Sequence, residues 1–440
     1  MKKQWTSIPG SVVAPQGFLA SGVFCDIKRL GTGKGSDKGQ KRDLALIVST
    51  VPARAAGMFT TNQVCAAPVK VCREHLRRGT AQVIVANSGN ANACTGAQGM
   101  RDARQMAVLA AERLHVEPRQ VLVASTGRIG VLMPMDRVQA GIEAAAQLLG
   151  DAPEHAAEAA EAIMTSDTRP KQIAIEFKVG GVPVRLGGIC KGAGMIQPGM
   201  SPTGARPASR PLHATMLCFL TTDAAIARPA LQTALREAVA ASFNRITVDG
   251  DMSTNDTVLV LANGLAGNRE IRGGGDLAMF QAALSHVCLE LAKMIVRDGE
   301  GVTRFVTVHV HGARHAADAD AAARAVANSA LVKTSWCGGD PNWGRIMDAL
   351  GYSAARVVEE KVDIAYARPG GRKLLYSVKR GQPTKVSFAT LCQAVAEKEF
   401  DLHIFLNLGR AEAVMYTCDL TEAYVDFNKG DVSNPAALGG

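Results

Sequence analysis

The apolar residues of this chain fall into short runs and periodic stripes that predict alternating strands and helices. Residues 44–51 are rich in β-branched side chains and read as a strand. AQVIVAN at 81–87 and QVLVAS at 120–125 read as two more. Segments 171–179 and 182–186 flank Gly180-Gly181 as the arms of a hairpin. Further strands are expected at 216–220, 257–262 and 303–310. Helices are expected at 99–115, 136–149, 154–164, 228–242 and 315–331. The clearest is 276–297, where Leu277, Phe280, Leu284, Val287, Leu291, Met294 and Ile295 recur at helical spacing. Residues 11–24 and 87–92 read as loops, and 338–345 as a rigid turn into a short helix. Strands and a helix alternate over 361–417, and a helix at 420–428 follows. There is no tandem repeat, and the alternation predicts an α/β (α+β) fold of layered sheets and helices.

Composition narrows the class without naming a chemistry. The 440 residues suffice for two or three domains, or for one two-lobed unit. With 47% hydrophobic and 20% charged residues the balance is that of an ordinary globular chain. The net charge is +9, but Lys and Arg are spread along the chain, apart from the run 28–42. A nucleic-acid binder gathers them on one face, so a mildly basic enzyme with anionic substrates is the better reading. GTGKGSDKGQKRD at 31–43 fails the phosphate-loop pattern, because Gly35 stands where Ser or Thr is required. Ten cysteines contain no CxxC pair, which excludes zinc-knuckle and thioredoxin readings. Most lie in apolar runs and are expected to be buried thiols. MKKQWTSIPG has no apolar signal region, and no run of about 18 apolar residues is evident. A cytoplasmic protein with no membrane span and no nucleic-acid partner is expected.

The stretch 187–225 carries the candidate chemistry, centred on Ala214-Thr215. A threonine hydroxyl is a weak nucleophile that needs an adjacent base. A chain cut just before it turns its own α-amine, with a pKa near ~8, into that base. An interior Ala-Thr pair alone is common and carries no such message. Its company does: KGAGMI at 191–196, then ATMLCFLTTDAA at 214–225, resemble the signature of the ornithine acetyltransferase (glutamate N-acetyltransferase) family of the arginine pathway. PQGFLASGVFCDIK, MFTTNQVCAAPV, VANSGNANACTG, STGRIG and MTSDTRPK match that family in order before Thr215. SFNRITVDGDMSTNDTVLVLANG, DGEGVTRFVTV, GDPNWGRI and TCDLTEAYVDFN match in order after it.

The resemblance implies a self-processing layered sandwich, cut between Ala214 and Thr215 into chains 1–214 and 215–440. It implies that Thr215 takes an acetyl group from N-acetylornithine and passes it to glutamate. Thr126 and Gly127 match the oxyanion hole, since a tetrahedral oxyanion needs preorganised donors. Lys191 and Thr165 match contacts to the substrate α-carboxylate, which wants a cation and hydroxyl donors. Glu300 matches the carboxylate that meets the ornithine ammonium, and Asn428 and Ser433 match contacts near the chain end. Read from residues alone, Ser-Thr-Gly is a turn, Lys191 a solvated lysine in a glycine-rich loop, Thr165 a helix cap, and Glu300 a surface glutamate. No metal and no resident cofactor are implied. Acetyl-CoA is an optional co-substrate, because some family members accept it. A heterotetramer of two α and two β chains is the implied assembly.

Two departures from the family stand out. The family usually ends on a threonine where Ser433 stands, and here NPAALGG follows. Lys191 lies 24 residues before Thr215, against about eleven in the family, and SPTGARPASRPLH at 201–213 is the surplus. Rich in proline and poor in apolar residues, it reads as an exposed loop. A long loop transmits little strain to the 214–215 bond, so slow processing is expected. His213 falls in this surplus and is assigned no catalytic part. A related self-processing amidase or aminopeptidase, and an unprocessed paralogue without catalysis, are the alternatives.

Overall fold

A computed structural model describes residues 4–28, 41–204 and 216–429. Ala214, Thr215, His213 and Ser433 lie outside the described residues, as do residues 31–40 and residues 205–213 of the surplus. The chain forms two compact units. The first holds residues 1–244, 251–295 and 429–440, and the second holds 245–250 and 296–428. Strands from both sides of the 214/215 bond share the first unit's sheet.

The sheet of the first unit has ten strands. They are β1 (Trp5–Ser7), β2 (Phe18–Val23), β3 (Leu44–Thr60), β4 (Thr80–Asn90), β5 (Val121–Arg128), β6 (Lys171–Val179), β7 (Val182–Lys191), β8 (Met200–Ser201), β9 (Leu217–Thr222) and β10 (Thr257–Ala262). Their order is β1-β6-β7-β9-β10-β3-β4-β5, with β2 and β8 pairing β3. β9 runs antiparallel to β7 and parallel to β10, so the segment after Thr215 occupies the interior of the sheet. Every residue of β9 and β10 is buried, which explains their near-continuous apolar sequence.

Alternating side chains separate two layers. Leu217, Phe219, Leu259 and Leu261 join one core with helices α1 (Ala67–His75), α2 (Gly96–Leu114), α3 (Met135–Gln147) and α4 (Pro153–Ala162). On the other face, β6 and β7 receive α6 (Gly274–Arg297), with Phe280 against Phe177 and Leu291 beside Cys190. Between them in sequence, α5 (Arg228–Ala241) packs on β3. By length and composition alone α6 could cross a membrane. Its apolar stripe, Phe280, Leu284, Val287 and Leu291, is instead fully buried within this unit, as a core helix requires.

The second unit has a six-stranded sheet, β14-β13-β12-β15-β11-β16. Its strands are β11 (Phe305–Ala313), β12 (Asp363–Ala367), β13 (Leu375–Lys379), β14 (Gln382–Pro383), β15 (Glu399–Phe405) and β16 (Ala411–Cys418). Val306, Val308, Val310, Leu402 and Ile404 pack on α7 (Ala316–Asn328), α8 (Ala330–Cys337) and α9 (Trp343–Gly351). The remaining helices are α10 (Phe388–Ala396) and α11 (Glu422–Phe427).

Several expectations change. Residues 18–23 are a strand, paired to β3 from Phe18↔Ser49 to Val23↔Leu44, although 11–24 read as loop. Asn87 to Asn90 belong to β4 rather than to a loop. β3 continues past residue 51 to Thr60: Pro52 lacks a donor, and it lies where the register with β4 shifts, between Val48 and Ala53. Helix 315–331 ends early, because the Ser329 side chain accepts from the Val332 amide and opens a separate helix, α8. Five cysteines are fully buried, four are half-buried and Cys94 is exposed, so burial of the thiols is less general than expected. Ser201 pairs with Phe59 in β8, so the surplus begins inside a short strand rather than wholly in a loop.

Candidate active site

In the first unit, β5 and β7 end near the turn that follows α4. Thr126 lies on β5 and is 1% exposed. Lys191 is the last residue of β7 and is 2% exposed, so it is neither in a loop nor solvated. Its Nζ donates to Thr165 Oγ1 at 2.7 Å and to Thr126 Oγ1 at 3.3 Å. Three residues matched singly to the family therefore meet around one ammonium. Because Thr126 Oγ1 accepts from Lys191, its own O–H is left to donate elsewhere.

Asp167 fixes this arrangement and was not singled out from sequence. Its Oδ1 accepts from Lys171 Nζ at 2.6 Å and from the Gly192 amide at 2.7 Å, and its Oδ2 from the Thr165 amide at 3.0 Å. Lys191 Nζ lies 3.9 Å from Oδ2. Burial opposes the charge of Asp167, but Lys171 and Lys191, with the Gly192 N–H, hold its carboxyl far below the usual range. The carboxylate thus stays ionised and orients both lysines. Its trace in the sequence is the four-residue spacing to Lys171 inside MTSDTRPK.

Gly127 has a backbone only glycine adopts readily, with φ +130°. A Cβ there would lie 2.4 Å from the carbonyl carbon of Gly89 on β4. The amide can take its position only because the side chain is absent. Gly127→Ala is expected to displace β5 from β4 and cut kcat by roughly 10²–10³-fold, the usual cost of one oxyanion donor. Steady-state assays of the folded variant check this, and an unchanged kcat would remove Gly127 from the site.

The lead into β10 ties the reaction neighbourhood together. Asn255 Nδ2 donates to Ser125 O at 2.8 Å and to Ala91 O at 2.6 Å, anchoring the residue before Thr126. The next residue, Asp256, accepts from the Met216 amide, one residue after Thr215. Asp256 is fully buried, and its Oδ2 has no hydrogen-bond partner among the described residues. Burial raises its carboxyl well above the usual range, against the Met216 N–H and the Lys191 charge. A buried carboxyl with a raised pKa therefore holds the Met216 amide, one residue after the expected nucleophile. TNDT in the sequence contains both residues, but only the fold aims them at Met216 and Ser125.

Glu300 and Asn428 belong to the second unit, where Asn428 Nδ2 donates to Glu300 Oε2 at 2.9 Å. They form one pair across 128 residues of sequence. A groove of about 660 Å³ lined by Pro9, Gln16, Asp151 and Arg185 lies elsewhere and contains none of the site residues.

Residues 22–430 match the model of the ArgJ family. The arginine biosynthesis bifunctional protein ArgJ of Symbiobacterium thermophilum is 50% identical, over 96% of this chain and 98% of that protein. The glutamate N-acetyltransferase of Methanocaldococcus jannaschii is 45% identical over the same shares of both chains. A solved structure of ornithine acetyltransferase complexed with ornithine, from Mycobacterium tuberculosis, is 37% identical. It covers 45% of this chain and 100% of its own, with a TM-score of 0.41. With matches spanning nearly its whole length, the chain belongs to the ArgJ family and is an acyltransferase of arginine biosynthesis.

Proposed function

We propose that the protein moves an acetyl group from N2-acetylornithine to glutamate through an ester on Thr215. The buried Lys191 ammonium, placed between the Thr126 and Thr165 hydroxyls, is the observation that carries this reading. A fixed cation beside hydroxyl donors suits an amino-acid α-carboxylate, and the same threonine borders the expected oxyanion hole.

In the first half-reaction Thr215 Oγ attacks the acetyl carbonyl, and its proton passes to the Thr215 α-amine. Thr126 O–H and Gly127 N–H stabilise the oxyanion. The C–N bond to ornithine then breaks, and the amine returns the proton to the leaving nitrogen. In the second half-reaction the glutamate amine attacks the ester and frees Thr215. The reading includes cleavage at Ala214–Thr215, a cytoplasmic location and an assembly of two α and two β chains. No resident cofactor takes part, and acetyl-CoA is an alternative acetyl donor. Ser433 extends the substrate contacts beyond Asn428.

The test is an assay of the purified protein with N-acetylornithine, with and without glutamate, and with acetyl-CoA plus glutamate. Transfer that requires glutamate is expected. Release of acetate at the same rate without glutamate would make the protein a hydrolase. Glu300→Gln is expected to weaken N-acetylornithine about 10- to 150-fold, from a charge-assisted contact worth about 1.5–3 kcal/mol. A neutral acyl donor should be little affected. Equal losses for both donors in KM and kcat measurements would make Glu300 structural.

A further inference from the structure

The sheet of the second unit has a face that the proposed reaction does not use. Val306, Val308 and Val310 point into the helical core, so Thr307, His309 and His311 point the opposite way along β11. β15 runs parallel to β11 and places His403 directly beside His309. Three imidazoles therefore share one small area. Their planes lie within 8° of parallel, and His403 is 4.5 Å from His309 and 5.3 Å from His311, centroid to centroid.

We infer that His309, His311 and His403 form a binding site for a divalent transition metal of the zinc class. One ring nitrogen from each residue lies within 4.8 Å of the others. A tetrahedral centre with bonds of about 2.0–2.1 Å sets its ligand nitrogens roughly 3.4 Å apart. Closing that difference calls for rotation of the three rings about their side-chain torsions. Two of the rings already have the outer partners that metal-bound histidines use. Glu412 Oε1 lies 3.2 Å from His311 Nδ1, and Nε2 of that ring, which faces His403 Nδ1, would exchange that contact for the ion. Asp401 Oδ2 lies 3.8 Å from His309 Nε2, and the Gly370 amide holds that carboxylate at 2.7 Å.

His403 supplies an independent sign. One of its nitrogens, Nδ1, meets His311 Nε2 at 3.0 Å. The other, Nε2, is buried without a hydrogen-bond partner among the described residues. Such a nitrogen is costly to leave bare, and a metal ion relieves the cost by taking a lone pair from this ring. Three imidazole nitrogens with two carboxylates behind them suit Zn²⁺, Co²⁺, Ni²⁺ or Cu²⁺, and not the oxygen-seeking Mg²⁺ or Ca²⁺. Three protein ligands leave a fourth position for water.

The test uses the full-length protein after chelator treatment and dialysis. Zn²⁺ titrated by calorimetry should bind at one ion per chain. Co²⁺ should give weak visible bands without the near-ultraviolet thiolate bands that cysteine ligation produces. His311→Ala/His403→Ala should remove that ion, and Asp401→Asn should weaken it roughly 10- to 100-fold. Acetyl transfer should be unchanged in both variants. If the double variant does not fold, the Co²⁺ spectrum of the wild type and the Asp401→Asn titration still decide. Absence of a one-per-chain ion, thiolate bands in the Co²⁺ form, or undiminished binding in the variants would each overturn the site.

Discussion

Thr215→Ala, purified beside the wild type, runs on a denaturing gel as a single full-length chain and loses transfer by roughly four to six orders of magnitude. The wild type runs as two fragments, and N-terminal sequencing of the second starts at Thr215. Both losses have one origin, because the substitution removes the hydroxyl that attacks and the reason for freeing its amine. The sheet explains why a cut here need not unfold the protein. β9 begins two residues after Thr215 and is hydrogen-bonded on both sides, to β7 and to β10. Met216 is held from outside its own strand, by Asp256. Neighbouring strands therefore keep the new chain end in place after the covalent link is gone. Removal of residues 205–213 should speed cleavage while leaving the preferred acetyl donor unchanged. A fully active wild type with an intact 214–215 bond would exclude the ester mechanism.

Asp167→Ala should give the largest loss of stability, about 3–5 kcal/mol. Lys171 is 1% exposed and Lys191 2% exposed, and the substitution leaves two buried ammonium groups without the carboxylate that faces both. Urea denaturation followed by far-ultraviolet circular dichroism measures the change. Acetyl transfer should fall as well, since Lys191 would lose its orientation toward Thr126. Asp167→Asn keeps the shape but loses the charge, and its single carbonyl oxygen can accept from only one of the Thr165 and Gly192 amides, so an intermediate loss is expected. The pH dependence follows from the sign of the shift. A carboxyl held below its unfolded value of about 3.9 contributes its full stability above that pH and loses it as the pH falls further. The wild type should therefore become more like the variant only in strong acid. A stability difference that shrinks on going from pH 5 to pH 8 would contradict this role.

Local order decided much of what was legible in the chain. Helix 276–297 was readable because its stripe repeats at the helical period, and the observed helix differs by two residues at its start. The hairpin at Gly180-Gly181 was readable because both glycines adopt positive φ, 55° and 87°, which that turn needs. Thr126, Gly127, Lys191 and Thr165 were named through a resemblance, not through any pattern of their own. Strand 18–23 was missed because its sequence, FLASGV, has little alternation, and pairing with β3 is what makes it a strand. Asn255 and Asp256 were missed because their partners are distant, and Asp167 because Gly192, 25 residues on, and Lys191 complete its set. Asn255 reaches Ser125 across 130 residues, and Asp256 reaches Met216 across 40. Periodicity reports which way a side chain faces within its own element. It carries no record of strand order or register between elements, and those alone bring Thr126, Thr165 and Lys191 around one buried charge.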